Sequence, residues 1–526
     1  MPMTKERTLF MKKMSVLELP LDVQPWQAER LNKRYKIAAM VYNAFRDYEW
    51  NKIICIRETK QWREELSDSI LRDLYDELKN AKEKESASEE KRINKQIKDI
   101  YDRRGKLYKD NGITRFSFLE DIKRFCSPYS TIIPSNMAQL TIAAPLYTAV
   151  ERCLYGNGDF PRYKRIINSN ILKTNGKSGI RLMNDDRGYF LLVSNRRQGA
   201  KPMTLPVKVS DSNYNMDMIN RDIKIVAIVR KRINGKYKYY TQLTVEGAPF
   251  QKVNKDGEYI HQIGNGKVGL NIYKNKVSVA SDSGVFEFDL TPGMDAYQSE
   301  LNELTRCQEA IRRRLNPQNY NDNGTVKKGI YNPETRKTER LHWNSSIKYD
   351  EISNKRRELQ RVYIERRTIH VNNMIHKILA CGDQIIVPDY CFNKDKRKNT
   401  KGDEVPINEL KKRKDRRIEI QQGAPASFLA RLNKVLEQYD REPVSRIRLS
   451  EDNFFYCHMS DVDNKDFFKR DYIELPNVTK CSQGLYKAFV LLHYNSDTGE
   501  FNHDSICEDF NKFLNMVEAY QSKSTQ

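Results

Sequence analysis

Three stretches carry side chains suited to chemistry on a polyanion. Residues 160–165, FPRYKR, join a rigid proline to two aromatics and three cations, so Arg162, Tyr163, Lys164 and Arg165 have the composition of a phosphate-and-stacking patch. Arg312, Arg313 and Arg314 close one expected helix, and Arg356, Arg357, Arg361, Arg366 and Arg367 decorate the next. Charge runs on helices are usually solvated faces, but arginines gathered on one helix also suit phosphate contact.

The whole chain has the same charge bias. Its 526 residues hold 92 Lys+Arg against 70 Asp+Glu, a net +22 at pH 7, and basic stretches recur beside Tyr and Phe along its length. That pattern favours a nucleic-acid partner over a membrane surface, which would concentrate cations on one amphipathic helix. The sequence shows no apolar run of the roughly 18 residues needed to span a bilayer and no signal-peptide h-region. Nine cysteines without a CxxC pair point to reduced thiols and a cytoplasmic setting, and the expected nucleic-acid partner makes that setting nucleoid-associated.

The elements that must position these residues follow from periodicity. Residues 14–19 read as a strand. Pro25-Trp26 opens a long helix with Trp26, Leu31, Tyr35, Ala38, Val41, Tyr42 and Phe45 at helical spacing. Residues 67–111 read as a charged antiparallel helix pair turning at 86–90, and Asn136 to Tyr155 as a further helix. From 166 to 250 the pattern is β, and Asn234-Gly235 between two alternating runs marks a hairpin. Tyr237, Tyr239, Thr241, Leu243 and Val245 share a face, read first as packing in a small barrel and second as a base-stacking platform. Lys267 to Ser281 reads as strand, turn, strand. Helices are expected near 294–315 and 346–381, the second with Ile352, Leu359, Val362, Ile369 and Ile378 as its apolar stripe. A short buried strand follows at Gln384 to Val387. The basic stretch 393–417 reads as a loop that orders on nucleic acid. Ala424 to Tyr439 reads as a helix, Val444 to Leu449 as a strand, Gly484 to His493 as a buried helix or strand, and 503–521 as a terminal helix.

In this order the elements resemble the TnpB family and its descendants, the smallest type V CRISPR effectors. The resemblance runs through FPRYK, similar to the family's Pro-Arg-Phe-Lys, the 223–245 hairpin, GKVGLNI, the Arg-rich helix, IIVPDY, the helix at 424–439 and QGLYKAF. It implies an α+β multidomain chain. A first wedge strand spans 1–20, a helical recognition lobe 21–158 and a β-barrel wedge domain 159–260. A split RNase H-like (RuvC) α/β domain spans 261–393 and 418–526, around a basic insertion at 394–417 and with a degenerate zinc-ribbon region. The interval where the family's zinc ribbon would fall holds only Cys457, His458 and Cys481, so a tetrahedral site would need an unidentified fourth ligand, and no zinc is expected. It also implies two-metal hydrolysis held by three carboxylates. Here Asn271 stands at the first, Pro388 at the second and Gly484 at the third, with Asp504 as an alternative register for the third. Asp389 and Asp282 lie near the emptied positions, but strand alternation turns them away. The expectation is an RNA-guided DNA-binding protein without nuclease activity, catalytic metal or other cofactor. Its partners would be a guide RNA and double-stranded target DNA. The expected role is transcription regulation, by bringing a sigma factor and RNA polymerase to a guide-matched promoter. The alternatives are repression by promoter occlusion, a nuclease using displaced carboxylates such as Asp389 and Asp504, and a non-guided nucleic-acid-binding accessory of a transposon. The aromatic stretch Phe454, Phe455, Tyr456 is a candidate docking surface. Whether the chain acts as a monomer or as a pair on one guide stays open.

Overall fold

The computed structural model describes residues 14–84, 86–155, 158–193, 202–248, 254, 258, 260–273, 275–327, 329, 331–332, 337–338, 341–389, 423–447, 456–457, 462–463, 472–475, 478–495 and 498–524. The expected insertion at 394–417 and the stretch at Phe454 and Phe455 lie outside these residues. The chain divides into two compact units between residues 250 and 251. No helix among the described residues is long and apolar enough to cross a membrane.

The first unit starts with β1 (Met14–Pro20), whose burial alternates so that Leu17 and Leu19 face inward. Helices α1 (Pro25–Glu58), α2 (Asp68–Glu83), α3 (Ala87–Asp110) and α4 (Arg115–Cys126) follow. The helix expected at 136–155 is one run with a wider turn inside it. Ser135–Ala138 and α5 (Ala144–Leu154) are joined by the π turn Gln139–Ala143. Pro145 explains the turn: it has no N–H to donate backwards, and a π turn just before it takes up the mismatch. Trp26 departs from its expected place in the apolar stripe, being 50% exposed at the first turn of α1.

Strands β2 (Ile171–Asn175), β3 (Ile180–Asp185), β4 (Gly188–Val193) and β5 (Met203–Pro206), the short α6 (Asn213–Asn220), then β6 (Ile223–Ile233) and β7 (Lys236–Glu246) complete the unit. Asn234 and Gly235 have φ of 48° and 75°, the left-handed pair that a two-residue hairpin of this twist requires. The strands form a four-stranded sheet in the order β1-β7-β6-β2 and a three-stranded sheet β3-β4-β5. A closed barrel was expected; among the described residues the ladders stay separate. At one corner only the bridge between Leu21 and Val207 joins them, because Pro20 and Pro206 supply carbonyls but no N–H to continue the ladder. At the other corner the chain turns from β2 into β3 through residues 176–179.

The second unit is built on five strands: β8 (Lys267–Tyr273), β9 (Lys276–Ser281), β10 (Gly284–Asp289), β11 (Gln384–Pro388) and β12 (Ser445–Ile447). Their order is β10-β9-β8-β11-β12. The first three pair antiparallel, while β11 runs parallel to both β8 and β12. Helices α7 (Met294–Leu315) and α8 (Ile347–Cys381) lie between β10 and β11, and α9 (Pro425–Gln438) precedes β12. Helices α10 (Gln483–Leu492) and α11 (His503–Ser524) end the chain. The sheet is apolar on both faces, as a buried sheet with parallel strands must be. On one face Val268, Leu270, Val279 and Val387 pack against Val371, Ile375 and Ile378 of α8 and Phe428 and Leu432 of α9. On the other, Ala280, Val285, Ile386 and Ile447 pack against Phe489 of α10 and Phe513 of α11.

Only the last third of α8 is buried. Its earlier part pairs with α7, where Tyr297 stacks on Tyr363 with ring centroids 4.1 Å apart and Arg356 donates to Gln308. Ile369, expected inside, is 60% exposed, because the buried face of α8 follows 371, 375 and 378 instead.

Candidate functional site

The strand register brings the sequence-predicted positions together. Asn271 on β8 lies opposite Ser278 on β9, and Ser278 opposite Glu287 on β10. On the parallel side Ile386 pairs with Gly269, so continuing the register by two residues sets Pro388 beside Asn271. Residues in register share a face. Glu287, Ser278, Asn271 and Pro388 therefore form one row across four strands, near the C-terminal end of β8. Asn271 is 5% exposed.

Helix α10 crosses this face. Gly269 has no side chain because the helix backbone is there: an added Cβ would fall 2.0 Å from the Ala488 carbonyl oxygen. Gly484, in the first turn of α10, lies over the row; its Cβ would fall 2.2 Å from Ser278 Oγ and 3.3 Å from Glu287 Oε1. Three positions spread over more than two hundred residues of sequence thus converge on one patch.

Sequence reasoning missed the carboxylate that the patch does contain. Glu287 has an 8% exposed side chain. Its Oε1 accepts hydrogen bonds from Ser278 Oγ at 2.5 Å and Ser482 Oγ at 2.6 Å, and its Oε2 lies 2.8 Å from Lys276 Nζ. Ser482 also caps α10 by accepting from the Gly484 N–H. The Tyr520 hydroxyl of α11 lies 3.3 Å from the Glu287 backbone nitrogen. Burial, and secondarily the Glu287 charge, push the neighbouring Cys481 thiol up to about 12. A thiol held protonated is a poor metal ligand.

The other carboxylates lie elsewhere. Asp389 is exposed just beyond β11, its N–H bonded to the Ile447 carbonyl. Asp282 is exposed in the β9–β10 turn, 3.6 Å from Lys512. Asp504 is exposed in the first turn of α11. That turn is tied to His493, whose ring bonds Ser505, and the adjacent Tyr494 carbonyl accepts from Lys267 at the start of β8. Lys267 is four residues from Asn271, roughly 13 Å along the strand. Gly484 lies over Ser278 and Glu287 of the row. Of the suggested zinc-ribbon residues, Cys457 lies in a two-residue strand, Cys481 is buried, and His458 is outside the described residues.

The predicted nucleic-acid residues divide into paired and exposed groups. In the first unit, segment 160–165 lies along α1. Trp50 meets Phe160 at 4.0 Å, Arg46 covers Tyr163 at 4.2 Å, and Tyr163 donates to Asp47. Lys164 sits 4.2 Å over Tyr42, and burial lowers its ammonium pKa. Half the motif thus anchors the segment, while Arg162 and Arg165 are exposed. In the second unit, Arg361 is bracketed by Glu358 and Glu365, and Arg367 donates to the Leu290 and Gly423 carbonyls. Arg312 stacks 3.7 Å over Trp343 and Arg313 lies over Tyr320. Arg314, Arg357 and Arg366 are exposed. Sequence reasoning also missed an exposed strip on α1, where Trp26, Arg30, Lys33, Lys36 and Met40 face outward. Cations interleaved with an exposed indole suit phosphate contact beside base stacking.

No family model and no curated protein matches the chain. Among solved structures it is similar to the cryo-EM structure of a Cas12f1–sgRNA–target DNA complex, at 12% identity and TM-score 0.39, over 91% of this chain and 98% of that one. It is also similar to a CRISPR–Cas12f ternary complex, at 12% identity and TM-score 0.22 over the same shares.

Proposed function

We propose that this protein is an RNA-guided DNA-binding protein without nuclease activity, acting as a transcription regulator. One observation carries the reading. The three positions where the sequence resemblance calls for metal-holding carboxylates meet on one patch, and they are an amide, a proline and a glycine. Two Mg²⁺ ions require several carboxylate oxygens in open positions. Among the described residues the row holds one carboxylate, Glu287, and both its oxygens are engaged by Ser278, Ser482 and Lys276. These residues do not fit a two-metal centre. The second support is charge: a net +22, with Arg162, Arg165, Arg357, Arg366 and the α1 strip exposed, suits a chain that holds nucleic acid.

In this reading a guide RNA folds on the protein and base pairing supplies sequence specificity. The bound complex alters transcription at a promoter-proximal site by bringing a sigma factor and RNA polymerase; obstruction of the promoter is the second reading. Purification from the host tests both, with sequencing of co-purifying RNA, mass spectrometry of bound protein and a reporter carrying a matched target. A structured RNA and guide-dependent change in the reporter are expected. Repression without a sigma factor would favour obstruction, and no guide-dependent change would overturn the regulatory role.

A further inference from the structure

Glu287 sits in the middle of a closed set of donors. Ser278 reaches it from the neighbouring strand, Ser482 from the cap of α10, and Lys276 from two residues earlier on the same strand as Ser278. Tyr520 fixes the backbone of the same residue from α11. A carboxylate with two hydroxyls beside it is an oxygen donor set of the kind hard cations take. An ammonium is a compact cation with three donors. Both would compete for the same Glu287 oxygens, and the ammonium is covalently part of the chain.

We infer that Lys276 is the resident cation of this crevice: its ammonium occupies the place beside Glu287 that a divalent ion would take, and so holds β9 and β10 together beneath the N-cap of α10 without metal. The inference rests on the reading of the patch as no longer catalytic, and adds what fills it. Lys276 cannot be dialysed or chelated away, so the fold around Glu287 is indifferent to metal. Take the ammonium away and a buried carboxylate is left with two hydroxyls and no counter-charge. That arrangement should recruit a cation from solution.

The test uses the full-length chain, Lys276→Met, Lys276→Arg, Glu287→Gln and the double variant Lys276→Met/Glu287→Gln. Each is titrated with Tb³⁺, whose luminescence Tyr520 can sensitise, and its Tm is read in EDTA and in Mn²⁺. The parent and Lys276→Arg should show no signal that Glu287→Gln removes, and no Tm difference between EDTA and Mn²⁺. Lys276→Met should lose several degrees of Tm in EDTA, recover about 2 °C or more with saturating metal, and gain a saturable Tb³⁺ signal that the double variant lacks. A Glu287-dependent Tb³⁺ signal in the parent would overturn the inference, because the crevice would then already be a metal site. An unchanged Tm and no new signal in Lys276→Met would overturn it as well. DNA cleavage by the parent would instead defeat the nuclease-inactive reading, which this titration does not measure.

Discussion

Gly484→Ala asks how tightly α10 is seated on the sheet. The added Cβ would stand 2.2 Å from Ser278 Oγ and 3.1 Å from Ser278 Cβ. The hydroxyl can rotate away, but rotation breaks its 2.5 Å bond to the Glu287 carboxylate. A hydrogen bond to a charged group contributes about 1.5–3 kcal/mol. The close carbon–carbon approach adds about 1 kcal/mol. Alanine in a helix regains up to about 1 kcal/mol over glycine. The net expectation is a loss of about 2 kcal/mol. Ser278→Gly removes the obstacle together with the bond, so in the double variant Gly484→Ala should cost nothing further. The double-mutant cycle should show a coupling of about 2 kcal/mol. Urea unfolding of the four full-length chains measures it, with calorimetry to check whether the two units unfold together. The reasoning fails if Gly484→Ala is neutral or stabilising, or if the two changes add to within about 0.5 kcal/mol. By the same contact, a carboxylate placed at 484 would need a change at Ser278 as well.

Other predictions concern the rest of the chain. Gly269→Ala should destabilise by ~3 kcal/mol or more, since its Cβ would meet the Ala488 backbone, which cannot rotate away; equilibrium unfolding checks it. Glu49 is fully buried and its Oε2 lacks a partner; burial outweighs the nearby Lys52 and raises its carboxyl to about 7. Its contribution is thus present below the ordinary carboxylate value near 4.5 and lost as pH rises to about 7. Glu49→Gln should stabilise the chain at pH 8 by up to ~3 kcal/mol and flatten the Tm profile between these pH values. Arg357→Glu with Arg366→Glu should weaken RNA binding and flatten its salt dependence by up to about 0.7 per lost phosphate contact, with Tm unchanged. Arg367→Ala should instead lower Tm, because its guanidinium holds two backbone carbonyls.

The helices and central strands were legible because their apolar residues repeat at regular spacing. The hairpin at Asn234-Gly235 could be read from two residues whose backbone freedom its turn demands. Trp26 could not be placed by periodicity, since a helix's first turn can extend past the core it packs on. The pairing of Arg361 was available in the sequence, with Glu358 three residues before and Glu365 four after, and helix spacing alone makes such pairs. Glu287 was not available. In GVFEFD it reads as an ordinary polar strand residue, and its partners Ser482 and Tyr520 come from elements about two hundred residues away. Which residues face Asn271 and Ser278 is a property of register and of the helix laid over them.

The most direct test of the central claim is one binding-and-cleavage measurement. The purified protein–RNA complex is mixed with a DNA duplex matched to its RNA, in Mg²⁺ and separately in Mn²⁺, and the products are run on native and denaturing gels. The account predicts a shifted complex on matched DNA only, with both strands intact, for the parent and for Asn271→Asp. Matched DNA cut by the parent chain, or binding indifferent to the match, would contradict it.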